Sequence, residues 1–217
     1  VEVHSCVDMS VELLGFGTDH LRKIRTKSNF HIDLEVLKKQ IEEDLTLGLR
    51  PFCIIGNAGT VNTGAIDDLE ALANLAEQYG LWFHVDGAYG GLAAILKDLK
   101  PQYKGMERAD SIAIDFHKRL YQPFEGVCTL VRSWDGLRRT YFKIAAYLDT
   151  ELANDGNRLE YNEHYFQLSR NAKAFKVWMS IKAYGMKRLR AMIQKDIDLT
   201  DYLRVLVRES EGFELVA

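Results

Sequence analysis

The sequence predicts an α/β fold built on a mostly parallel sheet. Two observations carry this. Up to about residue 132, short apolar runs alternate with helical patterns, the signature of β-α-β units. The 217 residues are also 47% hydrophobic, enough to bury the core such a sheet needs.

The elements follow in order. Residues 21–25 form a short strand candidate. Asp33 stands at an N-cap position, with Val36, Leu37 and Ile41 on one face of a helix reaching about residue 47. Residues 51–56 are a continuous apolar run, as in a strand covered on both faces. Asp67 or Asp68 caps the next helix, which carries Leu69, Leu72 and Leu75 and stops at Gly80. Residues 81–86, 111–114 and 127–131 are three further strands.

Beyond residue 132 the pattern changes. Ser133 starts another helix, and residues 149–160 are polar, with the turn signal Asn154-Asp155-Gly156-Asn157. Helical patterns fill 164–209, broken by Gly185, and 212–216 reads as the start of one more strand. The division expected is 1–150 as part of a large domain, 151–163 as a mobile or polar loop, and 164–217 as linking helices entering a small C-terminal domain. The chain opens on Val1-Glu2-Val3-His4 without an initiator Met, so a segment of a longer protein is expected.

Composition excludes several function classes. A net charge of −3 provides no broad basic face, which argues against nucleic acid and anionic membranes as partners. No run of about 18 apolar residues could span a bilayer. Three cysteines cannot build a disulfide framework, and a reducing, cytoplasmic location is expected. Cys6, Cys53 and Cys128 stand in apolar surroundings, where inert buried thiols are the default, although Cys6 and His4 could form a nucleophile pair. His20 and His31 lack partners at ligand spacing, so no metal is expected. The stretch Gly87-Ala88-Tyr89-Gly90-Gly91 lacks the dinucleotide fingerprint, which disfavours a nicotinamide enzyme. The basic residues between Arg22 and Lys27 read as a solvated strand edge.

Two short segments carry chemistry. His84-Val85-Asp86-Gly87-Ala88-Tyr89 closes an apolar strand. In a parallel sheet the C-terminal strand ends form the ligand crevice, so Asp86 stands on that rim, followed by small residues that let a planar group approach. The alternative is a turn in which Asp86 is only a cap. Asp115-Phe116-His117-Lys118 closes the next strand and puts Lys118 on the same rim. A desolvated lysine there would be a nucleophilic amine; the alternative is a solvated surface lysine. Together, an acid and a lysine on neighbouring strand ends suit pyridoxal 5′-phosphate: the lysine forms a Schiff base with the aldehyde and the acid pairs with the pyridine nitrogen.

The chain resembles the group II pyridoxal-phosphate-dependent amino-acid decarboxylases over nearly its whole length. Val3-His4-Ser5 resembles the family's His-Ser segment, and 59–67, Gly-Thr-Val-Asn-Thr-Gly-Ala-Ile-Asp, its Gly-Thr…Gly-Ala-x-Asp turn. His84–Tyr89 is similar to His-Val-Asp-Ala-Ala-Tyr, and His117-Lys118-Arg119-Leu120 to His-Lys-Trp-Leu, each with one change. Leu168-Ser169-Arg170, Lys176-Val177-Trp178 and Tyr184-Gly185 resemble the Arg-containing helix.

The resemblance implies the seven-stranded-type sheet of an aspartate-aminotransferase-like large domain, present in part. It also implies decarboxylation of an L-amino acid to its amine, with an aromatic substrate favoured and an acidic one open. The partner implied is a second copy, in a homodimer with the site at the interface. Lys118 would hold the cofactor, Asp86 its ring nitrogen, Ala88 one ring face and His4 the other. Thr60 would line its edge and His117 would lie near the phosphate. Asp67 belongs to the matched turn, where a cap role competes with a ligand role. Tyr161, nine residues before Arg170, is a candidate proton donor to the carbanion carbon, with Tyr147, His164 and Tyr165 as rivals and His4 as another donor. A different loop residue would suit a decarboxylating aldehyde synthase, and a non-catalytic scaffold is the alternative outside enzymes. Arg119 stands where the family has Trp, either contacting the phosphate or pointing outward. Gly87 replaces an Ala. The phosphate-binding loop precedes this segment in the family, so weak cofactor retention is expected of the isolated chain.

Overall fold

The computed structural model describes residues 2–142 and 161–216. Four strands form one sheet in the order β1-β2-β3-β4: β1 (Cys53–Asn57), β2 (Trp82–Asp86), β3 (Ser111–Asp115) and β4 (Val127–Val131). The first three are parallel and β4 is antiparallel to β3, so the sheet is mostly parallel as expected. The helices are α1 (Cys6–Leu13), α2 (Leu34–Thr46), α3 (Leu69–Tyr79), the single turn α4 (Phe116–Arg119), α5 (Trp134–Tyr141) and α6 (Lys173–Glu209).

The helix boundaries have local causes. Asp33 accepts from Val36 N at 3.3 Å and Ser133 from Gly136 N at 3.0 Å, capping α2 and α5. Of the two aspartates before α3, Asp68 is the cap, accepting from Ala71 N at 3.0 Å. Asp67 is buried and joins two segments instead: it accepts from Ile32 N at 2.7 Å and from Asn57 N at 2.8 Å. Gly80 ends α3 in the left-handed region, at φ 65°. Gly185 breaks α6 with non-helical angles.

The main core lies on one face of the sheet. Phe83, Val85 and Ile54 point towards α2 and α3 and pack with Leu37, Ile41, Leu69 and Leu72. Gly56 leaves room for this: a Cβ there would stand 2.6 Å from Leu72 Cδ1. Each fully buried side chain of this kind contributes about 1.5–3 kcal/mol. A second core joins Leu96 and Leu120 to Val177, Leu189 and Ile193 of α6.

Three expectations are corrected. Residues 21–25 form no strand; Ile24 enters the core, while Arg22, Lys23 and Arg25 pair with Asp44, Asp8 and Asp33. Only an isolated bridge, Thr26 to Ile32, marks β-pairing there. The basic run is thus a set of ion pairs rather than a strand edge. Residues 212–216 form no strand either, and α6 starts at Lys173 rather than near His164, which lies in a short 3-10 turn (Tyr161–His164). The polar stretch 149–160 and Tyr147 lie outside the described residues.

Candidate active site

Strand alternation decides which side chains share a surface. With Phe83 and Val85 turned to the core, His84 and Asp86 face the other side of the sheet. Register aligns Asn57, Asp86 and Ala113 across β1, β2 and β3. Two residues beyond Ala113, Asp115 lies on this same face, and one helical turn later comes Lys118. Parallel pairing therefore puts Asp86, Asp115 and Lys118 at adjacent C-terminal strand ends.

The turn after β2 is tightly fixed. Ala58 N donates to Asp86 O at 2.8 Å and Gly87 N to Ala113 O at 2.9 Å, so both neighbours hold its backbone. Asp86 Oδ1 accepts from Ala88 N at 3.0 Å. The cap reading is thus correct for one oxygen, while Oδ2 takes no hydrogen bond among the described residues. Gly59 and Gly90 meet backbone to backbone: a Cβ on Gly59 would stand 2.7 Å from Gly90 Cα. That contact draws the Thr60 turn against the Asp86 turn. Thr60 is buried and its hydroxyl bonds Thr63 Oγ1 at 2.8 Å. Tyr103 OH donates to Gly90 O at 2.7 Å, and burial pushes this phenol up to about 12.

Beneath Asp86 runs a short polar chain. Trp82 Nε1 donates to Ser111 Oγ at 2.8 Å, and Ser111 Oγ lies 2.7 Å from His84 Nδ1. The indole can only donate, so Ser111 Oγ accepts from it, and the serine meets Nδ1 as donor or acceptor according to the ring's tautomer. Burial holds His84 below its ordinary value, with Asp86 pulling it up. Unfolded, His84 protonates near pH 6.5; folded, only at lower pH. Its contribution to stability is therefore complete above about pH 6.5 and lost as pH falls through the folded value. Between about pH 7.5 and pH 5, Tm of the parent is expected to fall further than Tm of His84→Asn. Parallel melting curves would contradict this.

The Lys118 turn is fixed from three sides. Lys118 Nζ lies 2.7 Å from Asp115 Oδ2, and His117 Nε2 lies 3.7 Å from the same oxygen. His117 Nδ1 accepts from Gly126 N at 3.0 Å, and its ring meets Phe124 at 4.3 Å. Arg119 does not point outward: its guanidinium stacks on Tyr89, 4.5 Å from the ring centroid. This ties the Lys118 turn to the Asp86 turn. After Leu120, Tyr121 takes φ 56° and its hydroxyl bonds the Asp196 carboxylate of α6. Gln122 accepts from Ser180 Oγ at 2.9 Å, and Lys176 Nζ donates to Pro123 O at 2.9 Å. The long helix α6 thus clamps the segment that follows Lys118.

The N-terminal turn overlies these strand ends. His4 Nδ1 accepts from Cys6 N at 3.1 Å. Cys6 is exposed, not in the apolar surroundings expected of it. Burial of its sulfur and then Asp86 push the thiol up, while Lys118 pulls it down, so both charges reach it. With His4 Nδ1 taken up by the Cys6 backbone N–H and the thiol shifted upward, this arrangement does not favour a Cys6/His4 nucleophile pair. Cys53 is pushed to about 11 by burial, as an inert structural thiol should be.

The structure thus brings Asp86, Ala88, Thr60, His117 and Lys118 onto one rim, with the His4 turn beside it. It does not bring Tyr161 there: Tyr161 is exposed, its turn packs on α5, and no contact among the described residues links it to Lys118 or Asp86. Its rivals His164 and Tyr165 engage Trp134 and Arg170. Two participants were missed. Asp115 carried a signal in its three-residue spacing from Lys118; the Arg119–Tyr89 stack carried none, being a long-range contact.

A cleft of about 870 Å³ lies elsewhere, between Phe30, Asp67, Glu70 and Lys104. It contains neither Asp86 nor Lys118, and Lys104 and Glu70 in it satisfy one another at 2.9 Å. The strand-end site is separate from that cleft. Its residues fit pyridoxal phosphate: a half-exposed amine, a carboxylate with one oxygen to spare, and small residues between them. No group of three or more His, Cys, Asp or Glu among the described residues could hold a metal.

Comparison with known proteins supplies an independent finding. The family model described as "Pyridoxal-dependent decarboxylase conserved domain" matches residues 1–217. An aromatic-L-amino-acid decarboxylase of Bacillus atrophaeus is 35% identical over 215 residues, covering 99% of this chain and 45% of that protein. A phenylacetaldehyde synthase of a Rosa hybrid cultivar is 30% identical, covering 99% of this chain and 43% of that protein. The crystal structure of mouse CSAD in apo form superposes with TM-score 0.90 at 31% identity, covering 100% of this chain and 45% of that chain. The chain therefore spans a little under half the length of the relatives it matches.

Proposed function

We propose, because the chain belongs to the pyridoxal-dependent decarboxylase family, that the intact protein converts an L-amino acid to the corresponding amine and CO2. An aromatic amino acid is the favoured substrate. The observation that carries this reading is the presentation of Asp86 and Lys118 on one sheet face at adjacent strand ends.

Pyridoxal phosphate, when bound, supplies the electron sink for breaking the bond to the carboxylate. The residues of this chain do the rest. Lys118 holds the cofactor through Nζ. The spare oxygen of Asp86 keeps a proton on the ring nitrogen, and the backbone bonds on both sides of Asp86 fix where that oxygen points. Ala88, His4, Thr60 and His117 would line the bound cofactor. His4 would deliver the proton to Cα, since Tyr161 lies away from this rim. The reading includes a homodimer with the site at its interface, a cytoplasmic location, and the division into 1–150, 151–163 and 164–217. Among the described residues no helix is long and apolar enough to cross a membrane.

The similarity to a phenylacetaldehyde synthase favours one second reading, a decarboxylating aldehyde synthase. Incubating the intact protein with aromatic, acidic and basic amino acids separates the outcomes. An amine from an aromatic amino acid supports the first reading. An aldehyde formed with oxygen uptake supports the second, and no product from any class rules out both.

A further inference from the structure

Asp115 is a buried carboxylate with few partners. It precedes α4 without capping it. Its Oδ2 lies 2.7 Å from Lys118 Nζ and 3.7 Å from His117 Nε2. Gly126 N already occupies His117 Nδ1 at 3.0 Å, so His117 offers Asp115 only the far edge of its ring. Lys118 is thus the principal compensation for a carboxylate held out of water, and a buried carboxylate that loses its cation is costly. The lysine side chain itself is 37% exposed and can swing away, whereas Asp115 is fixed by β3.

We infer that Asp115 is the resting partner of Lys118, holding its ammonium whenever Nζ is not bonded to the cofactor and thereby slowing capture of the aldehyde. This rests on the proposed function. Capture requires the Nζ lone pair: the ammonium proton leaves to solvent, nitrogen bonds the aldehyde carbon, and the carbonyl oxygen departs as water. An ammonium held by a carboxylate has no lone pair to offer, so the ion pair must open first. Asp115 is in this sense a positioning residue with two effects. It keeps Nζ at the strand ends near Asp86, and it restrains Nζ there.

The test uses the intact protein freed of cofactor. Pyridoxal phosphate is added, samples are quenched with borohydride at intervals, and the pyridoxyl-Lys118 peptide is quantified by mass spectrometry. Asp115→Asn is expected to accumulate it about fivefold faster than the parent, and Asp115→Glu at close to the parental rate. Asp115→Ser, a residue at home at a helix start, is a second charge-free variant should the Asn form fold poorly. Rates equal to or below the parent in the charge-free variants overturn the inference. Acylation of Lys118 relative to exposed Lys97, with no cofactor present, gives a separate readout. That ratio is expected to rise in the charge-free variants, and an unchanged ratio overturns the role of Asp115. Absence of any pyridoxyl-Lys118 peptide in the parent overturns the functional reading itself, while the acylation ratio still decides for or against the ion pair.

Discussion

Replacing Lys118 by Ala is expected to lower kcat of the intact protein by roughly a thousandfold or more. Lys118 is the amine presented at the strand ends, one turn beyond β3 and 2.7 Å from Asp115. Its loss removes the covalent anchor, so binding of the cofactor and turnover should fall together. The substitution should leave the fold intact, because the side chain is partly exposed and lies outside both cores. Asp115 would lose its partner, costing some stability, but the clamp of Tyr121 and Gln122 on α6 does not pass through Lys118. A Lys118→Ala protein with an unchanged melting curve and near-parental turnover would contradict the assignment.

Asp86→Asn is expected to lower kcat about 10- to 1000-fold, with a smaller change in KM. An opposite charge within a few ångströms shifts a titrating group by about 1–3 pK units, each worth a factor of ten in protonation. The substitution isolates charge from shape. Asn keeps a carbonyl oxygen for Ala88 N, so the turn at 86–91 retains its hydrogen bond. Only the capacity to hold a proton on the ring nitrogen is removed. A pH titration of the bound cofactor's absorbance provides the independent check: its transition should move to lower pH in Asp86→Asn, and should not move if Asp86 is only a cap.

The sequence exposed the elements whose causes are local. The apolar runs at 51–56 and 81–86 became strands whose alternate residues, Ile54, Phe83 and Val85, enter the core, whereas β4 at 127–131 is largely exposed and is held by its antiparallel pairing with β3. Asp33 and Ser133 act as caps because a short acceptor side chain satisfies orphan helix N–H groups wherever it is placed. The failures were tertiary. Ile24 is one buried residue among ion-paired neighbours, and its segment finds only a single bridge, so apolar character at 21–25 did not amount to a strand.

The candidate site divides in the same way. Asp86 and Lys118 were legible because β-α-β order alone puts consecutive strand ends side by side. Asp115 was visible as a residue near Lys118, but only the register shows that it shares a face with Asp86. The Arg119–Tyr89 stack depends on two turns packing together, which no spacing reveals. The exposure of Cys6 depends on how the N-terminal turn lies over the sheet, again a long-range property.

The most direct measurement is the site of covalent attachment. The intact protein, incubated with pyridoxal phosphate and reduced with borohydride, would be digested and its peptides mapped by mass spectrometry. One pyridoxyl group is expected, on Lys118. A group on any other lysine, or no adduct at all, would contradict the assignment of Lys118.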